Sequence, residues 1–443
     1  LQTDGIGSQG ILAQSIGGGG GNGAVAGILA AGVYTVAANT KVAVGGSGGA
    51  GGNGGEVIVN NRASGTIVAN GASTTAIFAQ SIGGGGGTGG YAFSAATPVG
   101  GSIAVTVGGD GGASGNGGAV SVTNAGAITL NGKNSVGIMA QSVGGGGGIA
   151  STGIGVSTIP VSIGGQNGAN GKGGDVTVVN SGSITINAAN SIGIFAQSVG
   201  GGGGMIMPGG GATSITRNNG GTGNGGLVTV TNTAASIIIT GDNSIGLYSQ
   251  SIGGGGGAVG LMVDPPGQLG AFLFSGAAGG QGAAADTIIN QTGNIILNGL
   301  NSIAIVAQSD AAKNGTGDGN ITLNILNATP GVLSVISGGS AQGAGVFILN
   351  GLTNTVNNNG LVTSVLGPNG FAVRATTGDD TINNFGAMIG SVDLAAGLNN
   401  YNNRQNAVFA PGVTVYLGPG GLLTNDGLIA PGQYNLILTT DLN

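Results

Sequence analysis

The sequence predicts an all-β protein, a parallel β-helix (β-solenoid) of degenerate repeats with Gly-rich insertions. Three observations predict it. A Gln-Ser pair recurs with its Gln at positions 14, 80, 141, 197, 250 and 308, so the motif returns every 53 to 66 residues, the interval of a stacked array. Between the pairs lie short Val/Ile segments with period-two alternation, the mark of half-buried strands. No segment carries a sustained 3.6-residue apolar period, so helices are not expected.

Each module reads as three strands. In "GGAVSVTNAGAITLNGKNSVGIMAQSV" and "GGDVTVVNSGSITINAANSIGIFAQSV" a first strand alternates (Val120, Val122; Val176, Val178). An Asn-x-Gly-x-Ile corner then leads into a second strand, and Asn-Ser leads into a third. Asn124, Asn180, Asn232 and Asn290 close the first strand. Stacked Asn side chains can form hydrogen-bonded ladders there, and Asn or Gly tolerates the left-handed backbone of a sharp corner. The third strand carries one apolar column of Ile11, Ile77, Ile138, Ile194, Leu247 and Ile305. The neighbouring column faces the other way and reads Leu12, Phe78, Met139, Phe195, Tyr248 and Val306. A strand apolar on both faces is expected to be covered on both.

Five of the six copies run directly into five glycines, as in "GIMAQSVGGGGG". Ordering such a tract costs roughly 2.5 to 5 kcal/mol relative to alanine. The tract therefore either stays mobile as a linker or needs its lack of side chains for contact. We expect contact, with the tract and the variable apolar segment after it ("VSTIPVSIGG", "YAFSAATPVGGSIAVTV") folding back over the outer column; glycine allows that close backbone approach. The alternative is that the outer column is an intermolecular surface that builds filaments.

At about 20 to 25 residues per coil, a module would equal two to three coils and the chain about 18 to 22, a rod of about 90 to 105 Å. Residues 1–310 form the array of AQSIGGGGG modules, roughly 55 residues each. Residues 311–443 read as a continuing solenoid with shorter, irregular coils, because "NNGLV", "NFGAMI" and "NDGLIAPG" keep Asn-x-Gly before an apolar pair.

Composition narrows function chiefly by exclusion. The 443 residues include 106 glycines, are 40% apolar, 3% aromatic and 5% charged, and contain no Cys, His or Trp. The glycines do not follow Gly-X-Y, so collagen is excluded, and the frequent Val/Ile strand patterns argue against disorder. A net charge of -6 without a basic patch gives no basis for a nucleic-acid partner. No apolar run is long enough to span a bilayer as a helix. Without Cys or His, Ser-His-Asp and Cys-His catalysis and zinc or copper ligation are excluded. The lack of cysteine also suits passage through an oxidising compartment.

Few residues then remain as candidates for chemistry. Lys41, Lys133, Lys172 and Lys313 sit in polar or corner settings and read as solvated charges. "ATTGDDTIN" partly matches a calcium-binding nonapeptide at Gly378, Asp380 and Ile382, but Ala375 and Thr376 replace its opening glycines and the motif is a single copy. Asp379 and Asp380 are the metal candidates, although on a strand they would point to opposite faces. Arg374 could approach Asp380 as a surface salt bridge. Thr/Val alternation ("LVTVTN", "DVTVV") hints at an ice-binding face, but the Thr columns are short and β-propensity accounts for them. No catalytic, cofactor-binding or metal-binding residue is assigned, and no cofactor is expected.

The repeated "AQSIGGGGG" modules, the stretch "GDDTINNFGAMIGSVDL" (Gly378–Leu394) and "LTNDGLIAPG" (Leu423–Gly432) resemble the passenger regions of large Gly-rich autotransporters (type V secretion) of Gram-negative bacteria. The likeness covers nearly the whole chain. It implies a pentaglycine-repeat, adhesin-like β-helical passenger, exported unfolded through an outer-membrane barrel and displayed or released at the cell surface. Such passengers are adhesins or structural surface proteins, and some carry an enzyme. The barrel translocator is expected outside this chain, which opens inside a repeat at Gly10 and reads as a piece of something longer.

The expected function is a non-enzymatic extracellular scaffold or adhesin in adhesion, aggregation or biofilm structure. Its expected partners are other copies of itself or host and surface glycans, and filament assembly is the sharper form. The alternatives are a polysaccharide-processing β-helix enzyme, which needs a groove gathering several acidic residues, and an ice- or calcium-binding solenoid.

Overall fold

The computed structural model describes residues 1–18, 52–84, 115–145, 171–201, 223–233, 236–254, 282–311 and 317–431, together with the backbone of short strands between them. It is a parallel β-solenoid. The first strands of successive coils form a ten-stranded parallel sheet running from Val57–Asn61 through Val120–Asn124, Val176–Asn180 and Val228–Asn232 to Leu422–Asn425. The second and third strands stack in the same way, exemplified by Ile128–Leu130 on Ile184–Ile186 and by Val136–Val143 on Ile192–Val199. These two stacks merge at Ala387–Asp393, a strand that pairs with both. The only helical element among the described residues is one 3-10 turn, Gly367–Asn369.

The expected number of coils is corrected. Val120 pairs directly with Val176, and Gln141 directly with Gln197. One module therefore supplies one coil, not two or three. Ten first-sheet rungs are separated by nine steps, about 43 Å at about 4.8 Å per step, half the predicted length. The physical reason is that each module of the array contributes one strand to each stack, from residues such as 115–145 and 171–201. From Thr287 onward the coils shorten: Thr287 pairs with Ile321, Ile321 with Asn354, Asn354 with Asp380, Thr381 with Asn400, and Asn400 with Leu422.

The segments that leave the stack pair with one another. Ala26–Ile28 runs parallel to Ala92–Ser94, Lys41–Val44 to Ala104–Val107, and Val161–Ile163 to Ile215–Arg217. These described strands are thus paired in register between modules.

Four buried apolar clusters form among the described residues, two of them large. The interior column of the solenoid joins Val122, Val178 and Val230 of the first sheet to Ile138, Ile194 and Leu247 of the third. On the opposite face of the third strand, Phe78, Met139, Phe195, Tyr248 and Val306 form a second buried cluster. Both faces are covered, as the doubly apolar pattern requires, except at Leu12, which is 47% exposed. The expected cover, the glycine tract beyond its first two residues and the apolar segment after it, lies outside the described residues.

The first glycine of each tract has a definite role. A Cβ on Gly144 would lie 1.9 Å from the carbonyl oxygen of Gly171, and on Gly83 2.0 Å from that of Gly115. Backbone meets backbone where the third strand ends beside the start of the next coil. That supports the contact reading at this position.

Candidate functional site

The polar residues of the repeat form ladders built by parallel, in-register stacking. At the end of the first strand, Asn61 Nδ2 donates to Asn124 Oδ1, Asn124 to Asn180 and Asn180 to Asn232, each at 2.7 Å. The second hydrogen of each amide reaches the carbonyl of its own corner, for example Asn124 to Gly126 and Asn180 to Gly182 at 2.9 Å. The predicted fourth member is corrected: Asn232 donates to Gln291, not Asn290. Asn290 is one residue earlier, and the period of two turns it to the outer face. The left-handed corner is corrected as well. It falls on Asn134, Asn190, Asn243 and Asn301, the Asn of each Asn-Ser pair, with φ of 52–60°; the Asn124 column works through its side chains.

The Gln-Ser motif is divided between the two faces of the third strand. Gln14, Gln80, Gln141, Gln197, Gln250 and Gln308 form a continuous amide ladder on the outer, Phe-bearing face. Tyr248 joins it, accepting from Gln250 and donating to Gln308, both at 2.7 Å. Burial pushes the Tyr248 hydroxyl well above the usual phenol range, with the Asp310 charge acting in the same direction. The serines face inward and clamp the next corner. Ser142 Oγ donates to Gly118 O and accepts from Gly174 N, both at 2.8 Å, and Ser198 repeats the pattern with Gly174 and Gly226. These side chains are buried polar groups whose hydrogen bonds are satisfied by their own repeats.

The outer face of the first sheet presents two side-chain columns along its ten strands. One column reads Ile58, Ser121, Thr177, Thr229, Ile288, Thr322, Thr355, Thr381, Asn400 and Leu422, and a second Asn60, Thr123, Val179, Thr231, Asn290, Asn324, Asn357, Asn383, Asn402 and Thr424. Neither column holds a charged residue. Rungs repeat at about 4.8 Å, and the two columns stand about 6.6 Å apart along the strand. From Asn290 on, the amides are linked in sequence, Asn324 to Asn290, Asn357 to Asn324, Asn383 to Asn357 and Asn402 to Asn383, at 2.9–3.2 Å. Val179 and Ile288 interrupt the Thr columns. The Asn ladder was not anticipated from the sequence, where its members stand at unequal intervals of 34, 33, 26 and 19 residues.

The structure separates the acidic candidates. Asp379 is exposed, and its carboxylate accepts from Leu398 N at 2.8 Å. Asp380 is fully buried and accepts from Asn354 Nδ2 at 2.8 Å. Burial raises the Asp380 carboxyl to about 7, against the Asn354 hydrogen bond and with the help of the Asp379 charge. The expected approach of Arg374 to Asp380 does not occur. Arg374 faces out of the third sheet, over Phe347 and Phe371 and in register with Asp393. Burial lowers the Arg374 pKa and the Asp393 charge opposes that shift. Lys133 and Lys172 are exposed, whereas Lys313 and the side chain of Lys41 lie outside the described residues. Among the described residues no three His, Cys, Asp or Glu side chains gather as a metal site.

Comparison with family models, with curated proteins and with solved structures finds no match for the chain. No helix among the described residues is long and apolar enough to cross a membrane.

Proposed function

We propose that the protein is a non-enzymatic extracellular scaffold, the passenger part of an autotransporter-like surface protein, acting in adhesion, aggregation or biofilm structure. One observation carries this reading: two columns of mostly hydroxyl and amide side chains on the outer face of the first sheet, repeated rung after rung, with Asp379 as an exposed carboxylate beside them and Arg404 bonded to Asn383. Many weak, identical hydrogen-bonding positions on a stiff support suit repeated contact with an extended partner such as a surface glycan or another copy of the chain. A chain that folds by stacking identical coils also suits export as an unfolded thread, since each coil can add to the previous one.

The test is display of residues 1–443 on a non-adherent bacterial cell, with and without Thr→Lys and Asn→Lys changes at Thr322, Thr355, Asn357 and Asn383. Cell aggregation and attachment to glycan-coated surfaces should appear with the native face and fall at least tenfold with the charged one. Equal attachment by both would overturn the proposal. Electron microscopy of the purified protein tests the filament form, since separate rods at high concentration would exclude it.

A further inference from the structure

We propose that Asp380 is a proton-binding position inside the solenoid, where a neutral carboxylic acid keeps the C-terminal coils closed and its ionisation loosens them. The placement is unusual for this fold. Asp380 occupies an interior position, in register with Asn354 below it, and its backbone N–H donates to the side-chain oxygen of Asn399 at 2.8 Å. Asn354, Asp380 and Asn399 are all buried. An amide would match its neighbours here, yet the residue is a carboxyl.

The hydrogen bonds around it are one donor short. Asn354 Nδ2 spends its two hydrogens on Asn350 O and Asp380 Oδ1, both at 2.8 Å. Asn399 Nδ2 is directed at the carbonyls of Leu394 and Leu417. Two buried acceptors are left without a partner, Asp380 Oδ2 and Asn354 Oδ1. An ionised carboxylate only accepts, so it leaves both unmet, whereas a protonated one supplies an O–H. One proton on Oδ2 provides the missing donor and removes the cost of a buried charge.

Among the described residues no cation faces the site. The strand below, Thr353–Asn358, has no titratable side chain, and neither has the corner 394–399. On its own strand the one other charge is Asp379, which raises the Asp380 carboxyl. Asp393, just before the corner, is paired in register with Arg374 on the outer face. Arg404 Nη2 is held by Asn383 at 2.8 Å, and Tyr401 on the next strand is buried with its hydroxyl pKa raised, hence neutral. The surroundings therefore all favour the uncharged form.

The sign follows from linkage. The folded carboxyl titrates near 7 and the open coil near the ordinary value of about 4. Between these values the closed form holds a proton that the open form has released, so closure is strongest at the acid end and weakens as pH rises through 7. Between pH 5 and 8 the opening equilibrium of these coils should increase on the order of a hundredfold.

Hydrogen exchange of the intact chain, corrected for the intrinsic pH dependence of exchange, measures that opening at the amides of residues 380–403. The expected result is a rise of this size in the wild type and a flat profile in Asp380→Asn, which carries its own donor. At pH 5 the two proteins should exchange alike. Parallel profiles, or a variant that opens more than the wild type at pH 8, would overturn the proposal. Calcium provides the opposing outcome: protection of the wild type at pH 8 by calcium, reversed by a chelator and absent in Asp380→Asn, would make the position a cation site instead. Infrared spectroscopy of the wild type alone keeps the test decisive if the variant does not fold. A protonated-carboxyl carbonyl band present at pH 6 and lost by pH 8.5 supports the proposal, and its absence at pH 6 refutes it.

Discussion

The guanidinium of Arg374 stands 5.3 Å from the ring centre of Phe347, its in-register neighbour on the preceding coil, and 4.9 Å from that of Phe371. The apolar column that begins at Leu12 passes through Phe78, Phe195, Tyr248 and Phe347 and ends on this cation, with Asp393 next in register. The charge closes the apolar stack where the long insertions have ceased.

Replacing Arg374 by Leu should therefore cost about 1 to 2 kcal/mol, the value of a partly desolvated cation over aromatic rings. Urea denaturation gives the number. Arg374→Lys should recover part of the loss, and a Leu variant as stable as the wild type would show that the cation contributes nothing.

The glutamine ladder should be intolerant of a gap. Gln197→Leu removes the acceptor of Gln141 and the donor of Gln250 while both remain buried. Each unmet group costs about 1 to 3 kcal/mol, so a loss of roughly 2 to 5 kcal/mol is expected. Calorimetry tests this, and a change under about 0.5 kcal/mol, the size of an ordinary surface substitution, would mean that the amides are not coupled.

The glycine after the Gln-Ser pair should resist even a methyl group. In Gly144→Ala the new Cβ would fall 1.9 Å from Gly171 O, and moving that backbone breaks the corner it belongs to. A destabilisation of about 3 kcal/mol is expected. Alanine at Gly331, which has nothing within 4 Å of its Cβ position, controls for a general cost of removing glycine, although its φ of +81° carries a strain of its own.

Alkaline titration should reveal the buried tyrosines. Burial raises the hydroxyl pKa of Tyr248 and Tyr401, so the folded state retains protons that an unfolded chain releases near pH 10. Stability is complete below that pH and falls as pH rises above it. Tyrosinate absorbance should show a late phase that coincides with unfolding, and Tyr248→Phe and Tyr401→Phe should each diminish it.

Much of the architecture was legible in the sequence because stacking in register repeats the same side chain at the same place. Val120, Val122, Val176 and Val178 alternate as inward residues of a first strand, and that is where they lie. Phe195 and Ile194 lie on opposite faces of one strand, and both are buried. The exact ladder membership was less legible. Asn290 looks like Asn232 in the sequence, but a one-residue offset sends it to the outer face and gives its place to Gln291.

Sequence alone determined the strand pattern, the parallel stacking and the absence of chemistry that requires Cys or His, since each follows from residue type and local period. Tertiary structure decided what depends on which residues meet across coils. It set one coil per module, sent Gln and Ser to opposite faces, placed Arg374 on aromatic rings instead of beside Asp380, and buried Asp380 one donor short. Those outcomes rest on register between segments tens of residues apart, and no local pattern encodes that register.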